Sequence, residues 1–299
     1  MSTPSDAPTV ISVEDDSAGS WELTKLPSKA RPKATAGQYR ILDHRPLGDR
    51  YMALTLDAPG IANAAQPGQF LMLTAARRGE KTPALPRPMA IYSTDTNAGS
   101  VEVLYGVVGS GTKRLQSFEV SEEMFVVGPL GRSFEIAEGT RRVLLIGRGI
   151  GTCSLTTVAQ ANAERDIETI AVTSAREPSA LIGADYYHGH GAKVYEVTDQ
   201  QGNSTPEALF ATLTADLDEN PPTVILTCGS DRLTRLCEDL AGRWQSKVQV
   251  SVEAHMACGL GYCHGCASGA RSEGDESPLI CNDGPVFSWE PVPAATCAP

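Results

Sequence analysis

Four cysteines near the C-terminus, Cys258, Cys263, Cys266 and Cys281, constrain this chain more than any other feature, because their spacing is C-x4-C-x2-C-x14-C. That is the spacing of a [2Fe–2S] site of the plant-ferredoxin kind, in which four thiolates hold two irons. Such a cluster carries one electron at a time and does no bond chemistry itself. A structural zinc site more typically shows two close pairs of cysteines, and only one C-x2-C is present. A Rieske centre would replace two thiolates by histidines; His264 lies in the region, but four cysteines already complete a ligand set. A disulfide framework is out of keeping with 299 residues and no secretory signal. Gly259, Gly261, Gly265 and Gly269 favour iron–sulfur, since residues without Cβ let backbone N–H groups approach the sulfides.

The length suggests two domains with a modest extra element around the cysteines. With 36 acidic against 25 basic residues and a net charge of -11, the chain has no electrostatic footprint for nucleic acid or an anionic membrane. Its opening residues lack the basic and apolar regions of a signal peptide. No run approaches the roughly 20 apolar residues that span a bilayer. A cytoplasmic location is expected, which suits thiolates committed to metal rather than to disulfides. Cys153 and Cys237 fall in predicted helices and read as small apolar fillers, and Cys297 reads as a tail thiol.

Residues 1–37, rich in Pro, Ser, Thr, Ala and Asp without a sustained period, read as a mostly disordered extension. Over 38–138, short β runs at 51–56, 69–74, 101–105 and 124–127 are divided by Gly/Pro punctuation, which predicts a small antiparallel β-barrel. Over 139–252 the rhythm becomes strand, helix, strand. Val143–Ile146 is a continuous apolar run, as a strand covered on both faces requires. Predicted helices near 152–164, 206–217 and 231–244 and strands at 168–173, 192–197 and 223–227 describe a parallel-sheet α/β domain. The last helix carries Leu233, Leu236, Cys237, Leu240 and Trp244 on one stripe. Residues 253–299 form a small cluster domain and tail.

Four turns carry candidate chemistry. Arg87-Pro88-Met89-Ala90 opens a predicted strand, where an Arg can pair with a phosphate bidentately; an ordinary strand after a proline turn is the bland account. Gly106 to Thr112 follows a strand and precedes a helical stretch, so that N–H groups near Gly111 and the Thr112 hydroxyl are free to hold a pyrophosphate; a glycine-rich turn would look the same. Gly147-Arg148-Gly149-Ile150-Gly151 lies directly after Val143–Ile146 and opens a helix, the context of a dinucleotide site, although its glycines do not match G-x-G-x-x-G. Cys228 ends a buried strand, at the edge where α/β sheets bind ligands, and would also serve as plain packing.

Taken together and in order, Arg87–Ala90, Val108–Thr112, 127–131, Gly147–Gly151, Cys228-Gly229, the Cys258–Cys266 loop and 281–287 resemble the electron-transfer subunit of type B dihydroorotate dehydrogenase, within the ferredoxin–NADP reductase superfamily. The resemblance runs from about Gln38 to Trp289. It implies an FAD-binding barrel, an NAD(H)-binding α/β domain and a [2Fe–2S] domain that faces a partner, in that system an FMN-containing barrel dehydrogenase. By matching position, Arg87, Pro88, Met89, Ala90, Leu104, Tyr105, Gly106, Gly111 and Thr112 would hold FAD. Gly147, Gly149, Ile150 and Gly151 would hold NAD, Cys228 would sit near the nicotinamide, and the four cysteines would bind the cluster. Ala90 stands where many relatives have Ser, Arg148 where Gly is usual, and the extension has no counterpart in short members. A hetero-oligomeric electron-transfer flavoprotein subunit is expected. A reductase component serving an oxygenase, and a zinc-bearing scaffold on a degenerate flavin fold, are the competing readings. Arg176, after the strand ending near Thr173, would read a 2′-phosphate if NADP(H) replaced NAD(H).

Overall fold

The structure is a computed structural model and describes residues 21–27, 31–269 and 277–292. Strand β1 (Trp21–Thr24) comes first. It is followed by β2 (Thr35–Leu47), β3 (Tyr51–Asp57), α1 (Pro59–Ala64), β4 (Phe70–Leu73), β5 (Arg87–Asp95), β6 (Ser100–Gly106), α2 (Ser110–Gln116) and β7 (Glu123–Leu130). The strands β2 to β7 close into an antiparallel barrel in the order β2-β3-β6-β5-β4-β7. Ile61 of α1 and Leu115 of α2 complete its core.

Strand alternation gives β4 two duties. Leu71 and Leu73 enter the barrel core. Phe70 and Met72, on the opposite face, pack with Cys266, Ile280, Cys281 and Phe287. One wall of the barrel is thereby the seat of the cysteine loop.

The second unit runs β8 (Arg142–Arg148), α3 (Cys153–Ala163), β9 (Glu168–Ala175), α4 (Ala184–Gly189), β10 (Lys193–Thr198), α5 (Pro206–Leu217), β11 (Val224–Cys228), α6 (Asp231–Trp244), β12 (Lys247–Ser251) and β13 (Val286–Pro291). The sheet order is β1-β13-β12-β11-β8-β9-β10. Its centre is parallel, and β13 and β1 add antiparallel at one edge. Leu144 and Ile146 of β8 pack towards Leu209 and Leu213 of α5 and Leu236 of α6, whereas Val143 and Leu145 face Leu155 and Val158 of α3. Helices cover both faces, which is why the β8 run is apolar throughout. Thr205 starts α5 by accepting a 3.2 Å hydrogen bond from the Ala208 N–H, with Pro206 at the first helical position.

Three segments depart from the sequence expectation, the first being residues 35–37, placed in the disordered extension, which already pair with β7 as the start of β2. Trp21–Thr24 lies inside the predicted disordered extension yet pairs with β13, because Trp21 and Leu23 find apolar faces on the sheet. The remainder of that extension up to residue 20, residues 28–30 and Cys297 lie outside the described residues. β13, expected with the cluster domain, returns to the nucleotide sheet beside β12. Among the described residues no helix is long and apolar enough to cross a membrane.

Candidate functional site

A cleft with a cavity volume of about 340 Å³ opens between the barrel and the carboxyl ends of β8 and β11. Those two strands are neighbours from which the chain proceeds to opposite sides, the position at which open α/β sheets bind ligands. Pro88, Met89 and Ala90 of β5 line it, as do Leu104, Tyr105 and Gly106 at the end of β6. Thr112, Ile150, Gly151 and Cys228 complete the predicted residues that reach it. Tyr105 is locked from behind, its hydroxyl 2.8 Å from His44 Nε2, while His44 Nδ1 meets the Phe118 carbonyl at 2.8 Å. Beyond Gly106 and Val108 the cleft continues into a hollow of about 560 Å³ beside Tyr51. There the Arg50–Glu177 ion pair, at 2.8 Å, ties the barrel to the α/β domain.

Arg87 and Gly111 stand together at the cleft's edge. Arg87 Nη1 donates to the Leu85 and Pro86 carbonyls at 2.9 and 3.2 Å, which turns the guanidinium across the N-terminus of α2. A Cβ at Gly111 would overlap that guanidinium. The first N–H groups of a helix have no partner within it, so the Arg87 fork and this helix start face the same space, one suited to a pyrophosphate. Thr112 has a different task from the expected one. Its Oγ1 accepts from the Val108 and Gly109 N–H groups at 2.9 and 3.1 Å and donates to the Gly109 carbonyl at 3.2 Å, holding the loop rather than offering a free donor.

The glycine turn after β8 is largely a packing device. A Cβ on Gly147 would meet Thr152 Cα at 2.8 Å, and one on Gly151 would meet Gly229 Cα at 2.8 Å. Gly147 and Gly149 do not line the cleft, and Ile150 and Gly151 do. Arg148 turns away to bond Ser174 Oγ at 2.8 Å and Asp199 Oδ2 at 2.7 Å. Burial opposes the charge on Asp199, but hydrogen bonds from Arg148, Ser204 and Arg232 hold its carboxyl well below the usual range. Arg176 is exposed. Cys228 is buried; burial and then the Glu253 carboxylate push its thiol up to about 12, so it is a neutral wall group. Cys153, expected as core filler, is buried and also touches the cleft.

The cysteine loop is built by backbone. Leu260 N–H points at Cys258 Sγ at 3.4 Å, Gly261 N–H at Cys281 Sγ at 3.1 Å, and Cys281 N–H at Cys266 Sγ at 3.4 Å. Gly259 and Gly261 supply φ values of 70° and 78°, which side chains disfavour. Partial burial raises Cys258, yet N–H groups of Leu260, Cys263 and Tyr262 outweigh it and bring this thiol down to about 6. Among the described residues no three His, Cys, Asp or Glu side chains converge as the ligands of one ion would. The thiols are neighbours nonetheless: Cys258 interacts with Cys263, and Cys281 with both Cys266 and Cys258. Cys266 and Cys281 are buried, whereas Cys263 is exposed beside Tyr262, 91% exposed, and Leu260, 56% exposed.

The sequence reading did not single out Glu253, His255 or Met256, which line one wall of the cleft with Ser251, Val252 and Ala254. Their one visible signal is position, immediately before Cys258. Burial pushes the Glu253 carboxyl up, and its Oε1 lies 4.0 Å from Cys228 Sγ.

Residues 253–292 match the family described as the iron-sulfur cluster binding domain of dihydroorotate dehydrogenase B. The electron transfer subunit of dihydroorotate dehydrogenase B (NAD(+)) from Listeria monocytogenes is 27% identical over 85% of this chain and 98% of its own length. That from Caldanaerobacter subterraneus is 29% identical over 85% of this chain and 96% of its own. A solved NADH-dependent reduced ferredoxin–NADP oxidoreductase superposes with a TM-score of 0.68 at 24% identity, covering 88% of this chain and 90% of that one, which establishes the fold. The chain is thus a relative of the electron transfer subunits of type B dihydroorotate dehydrogenase, built on the ferredoxin–NADP reductase fold.

Proposed function

We propose that this chain is an electron-transfer flavoprotein subunit that passes electrons between NAD(H), FAD, a [2Fe–2S] cluster and a redox partner, in the manner of dihydroorotate dehydrogenase B. One observation carries the reading. Residues 253–256 line the cleft, and two positions later the same segment delivers Cys258 to the cysteine loop. A flavin in the cleft and a cluster in the loop would therefore share a wall. FAD supplies the exchange of a hydride for single electrons, and the cofactors carry the chemistry.

The protein's own residues bind, orient and exclude water. Arg87 and the start of α2 would hold the FAD pyrophosphate, and Met89, Ala90 and Leu104 to Gly106 would line the ring. Ile150, Gly151 and Cys228 would bound the nicotinamide, with the neutral Cys228 thiol excluding water without taking a proton. The nucleotide is NADH by family likeness; Arg148 is locked onto Asp199, and Arg176 is exposed just after β9. The exposed Leu260, Tyr262 and Cys263 face would meet the partner, an FMN-containing barrel dehydrogenase, in a cytoplasmic hetero-oligomer.

The test is purification with the native partner, followed by flavin and iron analysis. FAD with about two irons per chain, and a barrel dehydrogenase in the complex, are expected; an oxygenase in its place would favour the reductase reading. Cys263→Ser is expected to spare NADH-to-dye reduction and abolish transfer to the partner. Equal loss of both activities would overturn this order of carriers.

A further inference from the structure

The N-terminal segment reaches the cysteine loop from outside. β1 pairs with β13 over Trp21–Thr24, and Leu26 is buried against Phe134 and Val286. The Pro27 carbonyl accepts from Arg132 Nη1 at 3.2 Å. Two cations, Lys25 of this anchored segment and Arg31 just ahead of β2, fall on the two residues that follow Cys281. Lys25 Nζ lies 3.4 Å from Asp283 Oδ1, a pair whose charges cancel. Arg31 behaves differently. Its Nη1 donates to the Asn282 carbonyl at 2.9 Å and to Oδ1 at 3.1 Å, and its Nη2 donates to Oδ1 at 3.1 Å.

Both acceptors of Arg31 are neutral, so among the described residues no carboxylate pairs with its positive charge. Asn282 is also the residue that closes the loop: a Cβ on Gly261 would meet Asn282 Cβ at 3.1 Å, and the Gly261 N–H donates to Cys281 Sγ. The guanidinium therefore grips the turn that carries the fourth thiolate and places a full charge within about 10 Å of it, two or three residue lengths away. Adding an electron to a cluster of four thiolates adds negative charge, and a fixed cation nearby favours that state.

We propose that Arg31, just ahead of β2, is a positioning residue for the cluster, which holds the Cys281 turn and raises the cluster's reduction potential. The inference rests on the cysteines binding [2Fe–2S]. Coulomb attraction across partly exposed protein at this distance corresponds to roughly a three- to tenfold change in the reduction equilibrium. Tenfold is about 59 mV for a one-electron couple.

The experiment is a spectroelectrochemical titration of the cluster in the full holo-chain, with iron release to a chelator measured alongside. Arg31→Gln is expected to lower the potential by that amount and to speed iron release. Arg31→Lys, which keeps the charge, is expected to recover most of the potential. Equal potentials in all three proteins overturn the proposal. Cluster loss from Arg31→Gln alone supports it, and cluster loss from both variants assigns Arg31 to the fold and overturns it. Absence of iron from the wild-type chain would instead sink the cluster reading.

Discussion

The cleft and the cysteine loop lie against each other but are specified in opposite ways. The cleft is bounded by strand ends, where alternation decides which side chains leave the barrel: Ala90 of β5 and Leu104 of β6 pack with Cys153 and Ile150, whereas Met89 and Tyr105 belong to the barrel core. The loop has almost no regular structure and is held by N–H groups directed at sulfur and by glycines in left-handed conformations. A site made by register tolerates many side chains provided the strands pair. A loop made by backbone tolerates few at its glycines, because every N–H aimed at a thiolate depends on the same few dihedral angles.

The comparison breaks most sharply at Gly259. A Cβ there would meet Met72 Cγ at 2.5 Å at a φ of 70°. Gly259→Val is expected to leave FAD content and barrel folding intact while iron content falls to near zero; flavin lost in step with iron would mean that the two regions are not separately specified. Gly111→Val is the reciprocal variant. Its side chain would displace the Arg87 guanidinium from the start of α2, and about a tenfold loss of FAD affinity, with the cluster spectrum unchanged, is expected by equilibrium dialysis.

The smallest effect concerns the barrel alone. A hydrogen bond from Arg77 at 2.6 Å brings Glu122 down to about 2. A depressed carboxylate contributes stability above its unfolded pKa and loses it as pH falls through the folded one, here between about 4.5 and about 2. Because the pair is partly solvated, Glu122→Gln is expected to cost only about 0.5 kcal/mol at pH 7 in urea unfolding, with no difference from wild type below pH 2.

What was legible in the sequence follows from the same contrast. Val143–Ile146 and the α6 stripe were readable because burial on a regular element writes a period into the chain. The cysteine spacing stands out in the sequence because metal coordination would restrict both residue type and spacing. Strand β1 was not, since Trp21 and Leu23 gain their partner only from residues 288–291, and nothing local announces it. Glu253 to Met256 were missed because an extended cleft wall carries no period and no metal ligand. The Thr112 hydroxyl was assigned to the ligand because a sequence offers a donor without saying where its proton already goes.

The edge of the sheet also bears on how the molecule is made. Trp21, among the earliest described residues to leave the ribosome, is in register with Pro291, among the last. The strand that completes this edge therefore waits unpaired through nearly all of synthesis, and its partner arrives only after the cysteine loop between β12 and β13 has been translated. A product cut short within the loop would lack β13 and leave β1 without its ladder, exposing apolar side chains that proteolysis can recognise. Closure of this sheet edge thus waits on the translation of β13.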